Sequence, residues 1–355
     1  MKILMLKNFL LFAILSAGVF VSSARADLFG ISSPYNDVFF GDYYGRNGDI
    51  EGHAAIKGNL DVFAYSFGQF HQNLHPASQG PTLVVGGNVK SSGATVEGDT
   101  YIAGTLSPQG SDKWNTLGIQ GYGTMYLGGD SELLYSYQKP ITTIPFDFEL
   151  AEAQLWSVSS NLYNLANTVI CEYVNQSTYI IDLTGKTGLQ VVTIDAAIFN
   201  ALLNTQNIWV NAGADTTLII NVTDDGNAGY LNLKKEFAIN GNVNPSYGPF
   251  DGSNILINTD IDKVNISGVA LNASLLALNA HIDVQNGNID GQAFGASAST
   301  SGGGEFHAFY KFDDKHVHFE DTPPASVPEP ATCAILACGL LGLGYANRRR
   351  VSKSF

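Results

Sequence analysis

Two histidine pairs and two aspartate pairs carry the spacings from which a site could be built. His71 and His75 are four residues apart, and His316 and His318 are two apart. Either pair could share one face of a helix or strand and hold a metal ion. No Cys, Asp or Glu stands at zinc-ligand spacing around His71, and Asp313-Asp314 is only a loose acidic neighbour of His316. Exposed, uncommitted histidines are the simpler reading. Asp224-Asp225-Gly226-Asn227 and Asp260-Ile261-Asp262 bring carboxylates together. Paired carboxylates can hydrolyse glycosides, and the same oxygens suit Ca²⁺. Parallel β-helices host pectin lyases, but such lyases need a basic group for an acidic sugar, and Arg46 is the only arginine between residues 27 and 327. Ca²⁺ is the one cofactor these turns suggest, but the glycine-rich nonapeptide of Ca²⁺-binding β-rolls is absent, so any site would be weak and solvated turns are the plainer reading. The chain has no G-x-S-x-G, Walker loop or zinc-protease helix, so no catalytic residue is assigned.

The elements that would position these residues are short. Gly followed by Asp or Asn recurs at Gly48-Asp49, Gly58-Asn59, Gly87-Asn88, Gly98-Asp99, Gly241-Asn242 and Gly287-Asn288. Around these marks the pattern alternates with period two, as in Leu83-Val84-Val85, Thr95-Val96-Glu97 and Thr100-Tyr101-Ile102-Ala103. Such runs read as strands, with corners at residues that tolerate positive φ. A sandwich or a β-solenoid gives that signature. The solenoid fits better, because Asn and Gly recur at similar phase and stacked amides can form ladders. Residues 254–296 repeat the theme.

One helix stands out. Leu155, Val158, Leu162 and Leu165 keep helical spacing, Pro145 precedes them and Asp147 suits the cap, which predicts a helix over 147–166. Its stripe, with Trp156, is expected along the solenoid's side. A second helix fits Ala196–Leu203. Residues 297–304 and 321–328 read as linkers. The expected fold is therefore mainly β: a β-helix-like solenoid over 27–312 with one long flanking helix.

Both ends carry signals. Lys2 and Lys7, an apolar run from Phe9 to Val21, and Ala24-Arg25-Ala26 read as a secretory signal over 1–26, cut after Ala26. After a linker at 313–327, Val327-Pro328-Glu329-Pro330 leads into an apolar stretch at 331–346 and then Arg348-Arg349-Arg350. Sixteen residues at 1.5 Å rise give about 24 Å, a short transmembrane helix with a basic cytoplasmic stop. Without these ends the body from 27 to 327 carries a net charge of −20. A surface so acidic excludes nucleic acid as a partner, since phosphate binding needs clustered Lys and Arg. The whole chain is 45% hydrophobic and 14% charged, which excludes a disordered chain. Cys171 is the body's sole cysteine, so an intramolecular disulfide is excluded as well.

The tail over 328–355 resembles the PEP-CTERM sorting signal of Gram-negative bacteria. That resemblance implies an exosortase-type sorting enzyme as partner, a transient stay in the inner membrane, and release or transfer at the cell surface. The body resembles the choice-of-anchor A domain over about 35–310. Val38-Phe39-Phe40-Gly41-Asp42 and Asp49-Ile50-Glu51-Gly52-His53-Ala54-Ala55-Ile56-Lys57-Gly58-Asn59 look like its opening, as does Leu83-Val84-Val85-Gly86-Gly87-Asn88. Phe146-Asp147-Phe148 is similar to its middle. Val264-Asn265-Ile266-Ser267-Gly268, Asn286-Gly287-Asn288-Ile289-Asp290-Gly291 and Glu305-Phe306-His307 resemble its end. Leu278-Asn279-Ala280 departs from it, lacking a proline before the asparagine. The resemblance implies an adhesive surface domain and supplies no catalytic residues.

Three functions follow. The first is a non-enzymatic surface or matrix adhesin associated with exopolysaccharide and biofilm, its ligand a cell-surface or matrix polysaccharide. The others are a polysaccharide-acting enzyme using Asp224, Asp225, Asp260 or Asp262, and an ice-binding solenoid, which would need a flat Thr-rich face. So acidic a body is expected to hold cell-surface polysaccharide through divalent cations, with Ca²⁺ between sugar carboxylates and Asp224, Asp225, Asp260 and Asp262; the alternative is a neutral glycan stacked on aromatic rings. The processing signals generate one prediction. The intact mass of surface-extracted protein is expected to begin at Asp27 and to lack everything after about Pro330. Arg348–Arg350 still attached in an exosortase-competent host would overturn the sorting reading.

Overall fold

Strands of three residues separated by tight corners cannot pair within their own coil, so each pairs with the coil before and after. The computed structural model describes residues 27–68, 80–108, 118–120, 123–131, 136–170, 172–175, 178–205, 207–224, 229–235, 237–240 and 250–319. Its main sheet has 22 strands, joined by parallel pairings. The strands stack on three faces of a solenoid. On the first face the order in space is Gly188–Asp195, Thr216–Thr223, Ile255–Thr259, Ser274–Gln285, Ala293–Ser301, Asp37–Phe39, Ala54–Ile56, Leu83–Val85, Thr100–Ile102, Met125–Leu127 and Gln138–Pro140.

That order is not the chain order. The chain starts in the middle, winds outward to Pro140, crosses back, and winds inward until its last coil meets its first. At the joint Ala293 pairs with Asp37, Ala298 with Tyr43 and Phe306 with Ile50. Phe39, Tyr43 and Phe306 fill the lumen there, with ring centroids 5.4 to 6.1 Å apart. Inward rows are otherwise aliphatic; Val85, Ile102, Ile257 and Ile282 are fully buried or nearly so. Asp37 is the exception. It stands in an inward row between Ala293 and Ala54 with no exposed surface. Burial pushes its carboxyl well above the usual range, partly offset by the Asn36 amide that donates to Oδ2.

The corners explain the Gly-Asn motif. Asn59 Oδ1 accepts the Asn88 backbone N–H at 3.0 Å, and Asn88 Oδ1 accepts that of Thr105 at 2.9 Å. Asp42 Oδ1 does the same for Asn59 at 2.7 Å. Each side-chain oxygen thus serves a donor of the next coil that the strand ladder leaves over. The preceding glycines lie back to back: a Cβ on Gly87 would sit 2.5 Å from the Gly58 carbonyl oxygen. Amide ladders also form within faces, from Asn258 to Asn221 and from Asn265 to Asn232.

The return crossing is made by residues 141–147 and helix α1, Phe148–Tyr163. Asp147 caps it, its carboxylate accepting the Leu150 N–H at 3.0 Å. Lys57 pairs with Glu149 and Glu152 near its start. Towards its end Ser159 bonds Asn258 and the Leu162 carbonyl accepts from Asn221. Sixteen residues are about 24 Å, the same as the five coil steps of about 4.8 Å between those contacts. Beneath the helix the outward row of the first face is apolar: Leu276, Phe294, Val38 and Ala55 are buried. Trp156 differs from expectation. It lies 38% exposed, because Leu155, Val158, Ser159 and Leu162 fill the buried stripe. The helix also stops before Leu165.

Helix α2, Ala196–Thr205, caps one end. Asn200 donates to the Tyr230 carbonyl and accepts the Asn232 N–H, which satisfies an edge that would otherwise stay open. Four strands, Glu172–Asn175, Thr178–Leu183, Asn207–Ala212 and Phe237–Ile239, form a second sheet. Residues 297–304 are not a linker: Ala293–Ser301 is a central strand whose small side chains suit tight stacking. Beyond Phe306 the chain becomes a strap, with Tyr310, Phe312 and Asp313 bonded to Asp290, Gln292 and Ser253. Packing continues to Val317, and a separate unit begins at His318. Among the described residues no helix is long and apolar enough to cross a membrane, and the stretch 331–346 lies outside them.

Leu162 is fully buried on the helix stripe. Leu162→Asp would bury a charge without a partner and should destabilise the fold by about 3–5 kcal/mol. A wild-type melting temperature in thermal unfolding would refute the helix packing.

Candidate functional site

Alternation decides what each face shows to solvent. On the second face the outward row runs Asn232, Asn265, Asp283, Ser299, Tyr44, Asp61, Lys90 and Ser107 along successive coils. Its side chains are tied to one another. Asn265 donates to Asn232, Ser299 to Asp283 and Gln285 to Asp283. His281 bridges Ser297 and Ser299 at 2.8 and 2.9 Å, and burial pushes its pKa down, so the imidazole is neutral at pH 7. Arg46 reaches across to Asp61 at 2.7 Å. Tyr44, Phe63 and Tyr230 stay about half exposed on this face. A hollow of about 320 Å³ opens beside Tyr44, lined by Asp42, Asn59, Asp61, Asn88, Lys90 and Ser107.

The third face carries a different cluster, at the joint of the first and last coils. Register stacks Asn288, Glu305 and Asp49 in one row and Asp290, His307 and Glu51 in the next. His307 Nδ1 lies 2.8 Å from Asp290 and Nε2 lies 3.0 Å from Glu305. Asn288 donates to Asp290. Glu51 accepts the Ala308 N–H at 3.1 Å. Burial alone would push the imidazole pKa down; the bonds to Asp290 and Glu305 and the charge of Glu51 override it and hold it at about 9. Burial, with Glu305 and Glu51 nearby, pushes Asp49 up to about 7. An imidazolium therefore clamps Asp290 and Glu305 by hydrogen bonds and draws the first coils' Glu51 to them by charge.

Residues 28–308 match the family described as "Putative Ice-binding-like adhesive domain". The chain belongs to that family. Solved structures similar to this adhesive domain include an ice-binding protein from the Antarctic ascomycete Antarctomyces psychrotrophicus, at 11% identity and TM-score 0.36, covering 79% of this chain and 96% of the other. A Shewanella frigidimarina ice-binding protein domain is similar at 14% identity and TM-score 0.34, over 80% of this chain and 97% of the other. The glycosylated ice-binding protein of an Arctic yeast has 11% identity and TM-score 0.35, over 84% and 97%. No curated protein matches.

In this ice-binding-like adhesive domain the residues singled out by spacing are dispersed. Asp224 Oδ2 accepts the Gly229 N–H at 3.1 Å, while Asp225 lies outside the described residues. Register brings Asp260 and Asp262 to the same corner as Asp224, one coil away. Asp260 and Asp262 are exposed, with backbone carbonyls that accept from Asn279 and His281. His316 pairs with Asp215 at 2.9 Å, and His318 belongs to the second unit. Among the described residues no three His, Cys, Asp or Glu are grouped to hold a metal ion. His71, His75, Ala24, Ala26, Val327–Pro330 and Arg348–Arg350 lie outside the described residues. The Tyr44 row and the His307 cluster carry no signal of spacing in sequence. Both are assembled by register from distant segments, although the segments around Asp49, Asp290 and His307 are among those that resemble the adhesive family.

The clamp sets a pH dependence. A group held above its unfolded pKa stabilises fully below that unfolded value and loses its contribution as pH rises through the folded one. For His307 the window runs from about 6.5 to about 9. Asp49 acts in the same direction at lower pH, since its burial favours the neutral acid. The melting temperature is expected to fall between pH 7 and pH 10, and His307→Gln should lower it at pH 7 and flatten that slope. Equal slopes in the two proteins, followed by circular dichroism, would contradict the clamp.

Proposed function

We propose that this protein is a non-enzymatic adhesin of the cell surface or its matrix that holds polysaccharide on the second face of the solenoid. The tail with Val327, Pro328, Glu329, Pro330 and Arg348–Arg350 would deliver it there through an exosortase-type enzyme, after a stay in the inner membrane. The observation that carries the reading is the second face itself. Covered by neither α1 nor the strap, it shows half-exposed Tyr44, Phe63 and Tyr230 among amide, hydroxyl and carboxylate groups fixed by their own hydrogen bonds. Aromatic rings beside pre-oriented polar groups are what a sugar ring meets in a binding site, one apolar face and a rim of hydroxyls. Membership of an adhesive family supports it.

An ice-binding reading has the family description behind it. The outward row argues against it. Asp283, Tyr44, Asp61 and Lys90 interrupt it with charge and bulk, and Thr300 of Ala293–Ser301 falls in an inward row. Among the described residues this face presents no flat array of threonines.

Stacking and neutral hydrogen bonds need no bridging cation. Retention of the purified protein on its native matrix is therefore expected to survive excess EDTA unchanged, with no thermal hysteresis in ice assays. Loss of retention on chelation and recovery with Ca²⁺ would establish cation bridging instead, and measurable hysteresis would establish the ice reading.

A further inference from the structure

We infer that the hollow beside Tyr44 is a subsite for a neutral pyranose unit of a glycan chain. The inference rests on the adhesive reading and deepens it. The hollow's volume, about 320 Å³, is at the small end of ligand pockets, which suits a sugar unit rather than a large ligand. One wall is the exposed ring of Tyr44, whose hydroxyl faces Asp42 Oδ2 at 3.4 Å and so fixes the ring's edge. A pyranose can lay its C–H face on such a ring.

The floor is the corner ladder. Asp42 Oδ1, Asn59 Oδ1 and Asn88 Oδ1 are each committed to a neighbouring coil, which locks these side chains in one rotamer. Fixed amides and carboxylates lose little entropy when a hydroxyl binds them. Lys90 and Ser107 complete the rim from the next coils.

Charge selects the class. Asp42, Asp61 and Lys90 line the hollow, and Arg46, outside that lining, is bonded to Asp61 at 2.7 Å. With Asp61 paired to Arg46, Asp42 offsets Lys90, inside a body of net charge −20. A uronic acid would meet Asp42 beside Lys90, the one cation in the hollow's lining, and the repulsion of the whole body. Neutral hexoses meet neither difficulty.

Calorimetric titration of the purified protein with cellohexaose, laminarihexaose and maltohexaose, against trigalacturonate, tests this. At least one neutral oligosaccharide is expected to bind, and the acidic one not to. Tyr44→Ala should weaken binding about tenfold or more, equivalent to about 1.4 kcal/mol. Tyr44→Phe should keep the stack and most of the affinity. Trp156→Ala, exposed on α1 over the first face and away from the hollow, should bind as wild type. Thermal melts verify that each variant is folded. Undiminished binding by Tyr44→Ala, failure of all three neutral probes, or preference for trigalacturonate would each overturn the subsite. Matrix retention separates the two levels: wild type retained with Tyr44→Ala equally retained rejects the subsite and leaves the adhesin, whereas wild type not retained rejects the adhesin itself.

Discussion

Backbone hydrogen bonds between Ala293–Ser301 and the strands that begin at Asp37 and Tyr43 join parts of the chain some 250 residues apart. Everything else depends on that pairing. Until it forms, two half-solenoids each present an open edge of unpaired N–H and C=O groups, a template for wrong partners. The joint is accordingly reinforced from several sides. Aromatic rings plug its lumen, α1 crosses its first face, the strap crosses its corner, and His307 ties its third face to Glu51 and Asp290. Pairing across such a sequence separation is slow, because loop closure must come first. Reinforcement after closure raises the barrier to reopening.

The sequence made the coil type legible and the coil order not. Gly58-Asn59 and Gly87-Asn88 announce corners through chemistry local to each residue pair, and Asp147 with Leu155, Val158 and Leu162 announces a helix in the same way. Nothing local says that Ala293 lies beside Asp37. The small, serine- and glycine-rich run at 297–304 reads as a linker, since composition alone cannot distinguish a flexible segment from one that stacks closely, as Ala293–Ser301 does. Asp37 shows the limit from the other side: an acid in an inward row breaks the alternation that reveals strands. The Tyr44 row was hidden for the same reason as the joint, as its members belong to different coils.

Two faces of the body are spent on integrity and one on display. The first is covered by α1 and the third carries the clamp. On the second, side chains satisfy one another laterally, so the surface is rigid before anything touches it. Rigid polar surface suits recognition that must not cost ordering entropy. Three of the body's cations are committed to the fold: Arg46 to Asp61, Lys57 to the start of α1, and His307 to the joint.

The crossing at 141–147 acts as a tape measure. From Gln138–Pro140 back to the coil of Lys57 the first face steps down four coils, about 19 Å. Seven extended residues reach about 23 Å, so the segment has little slack. An insertion of one more coil beyond Ala54–Ile56 would have to be matched by one or two residues in this segment, or α1 would be dragged off its seat. Body length in relatives of this protein is thus coupled to the length of a single connector, and coil-number changes that ignore it should be rare among them.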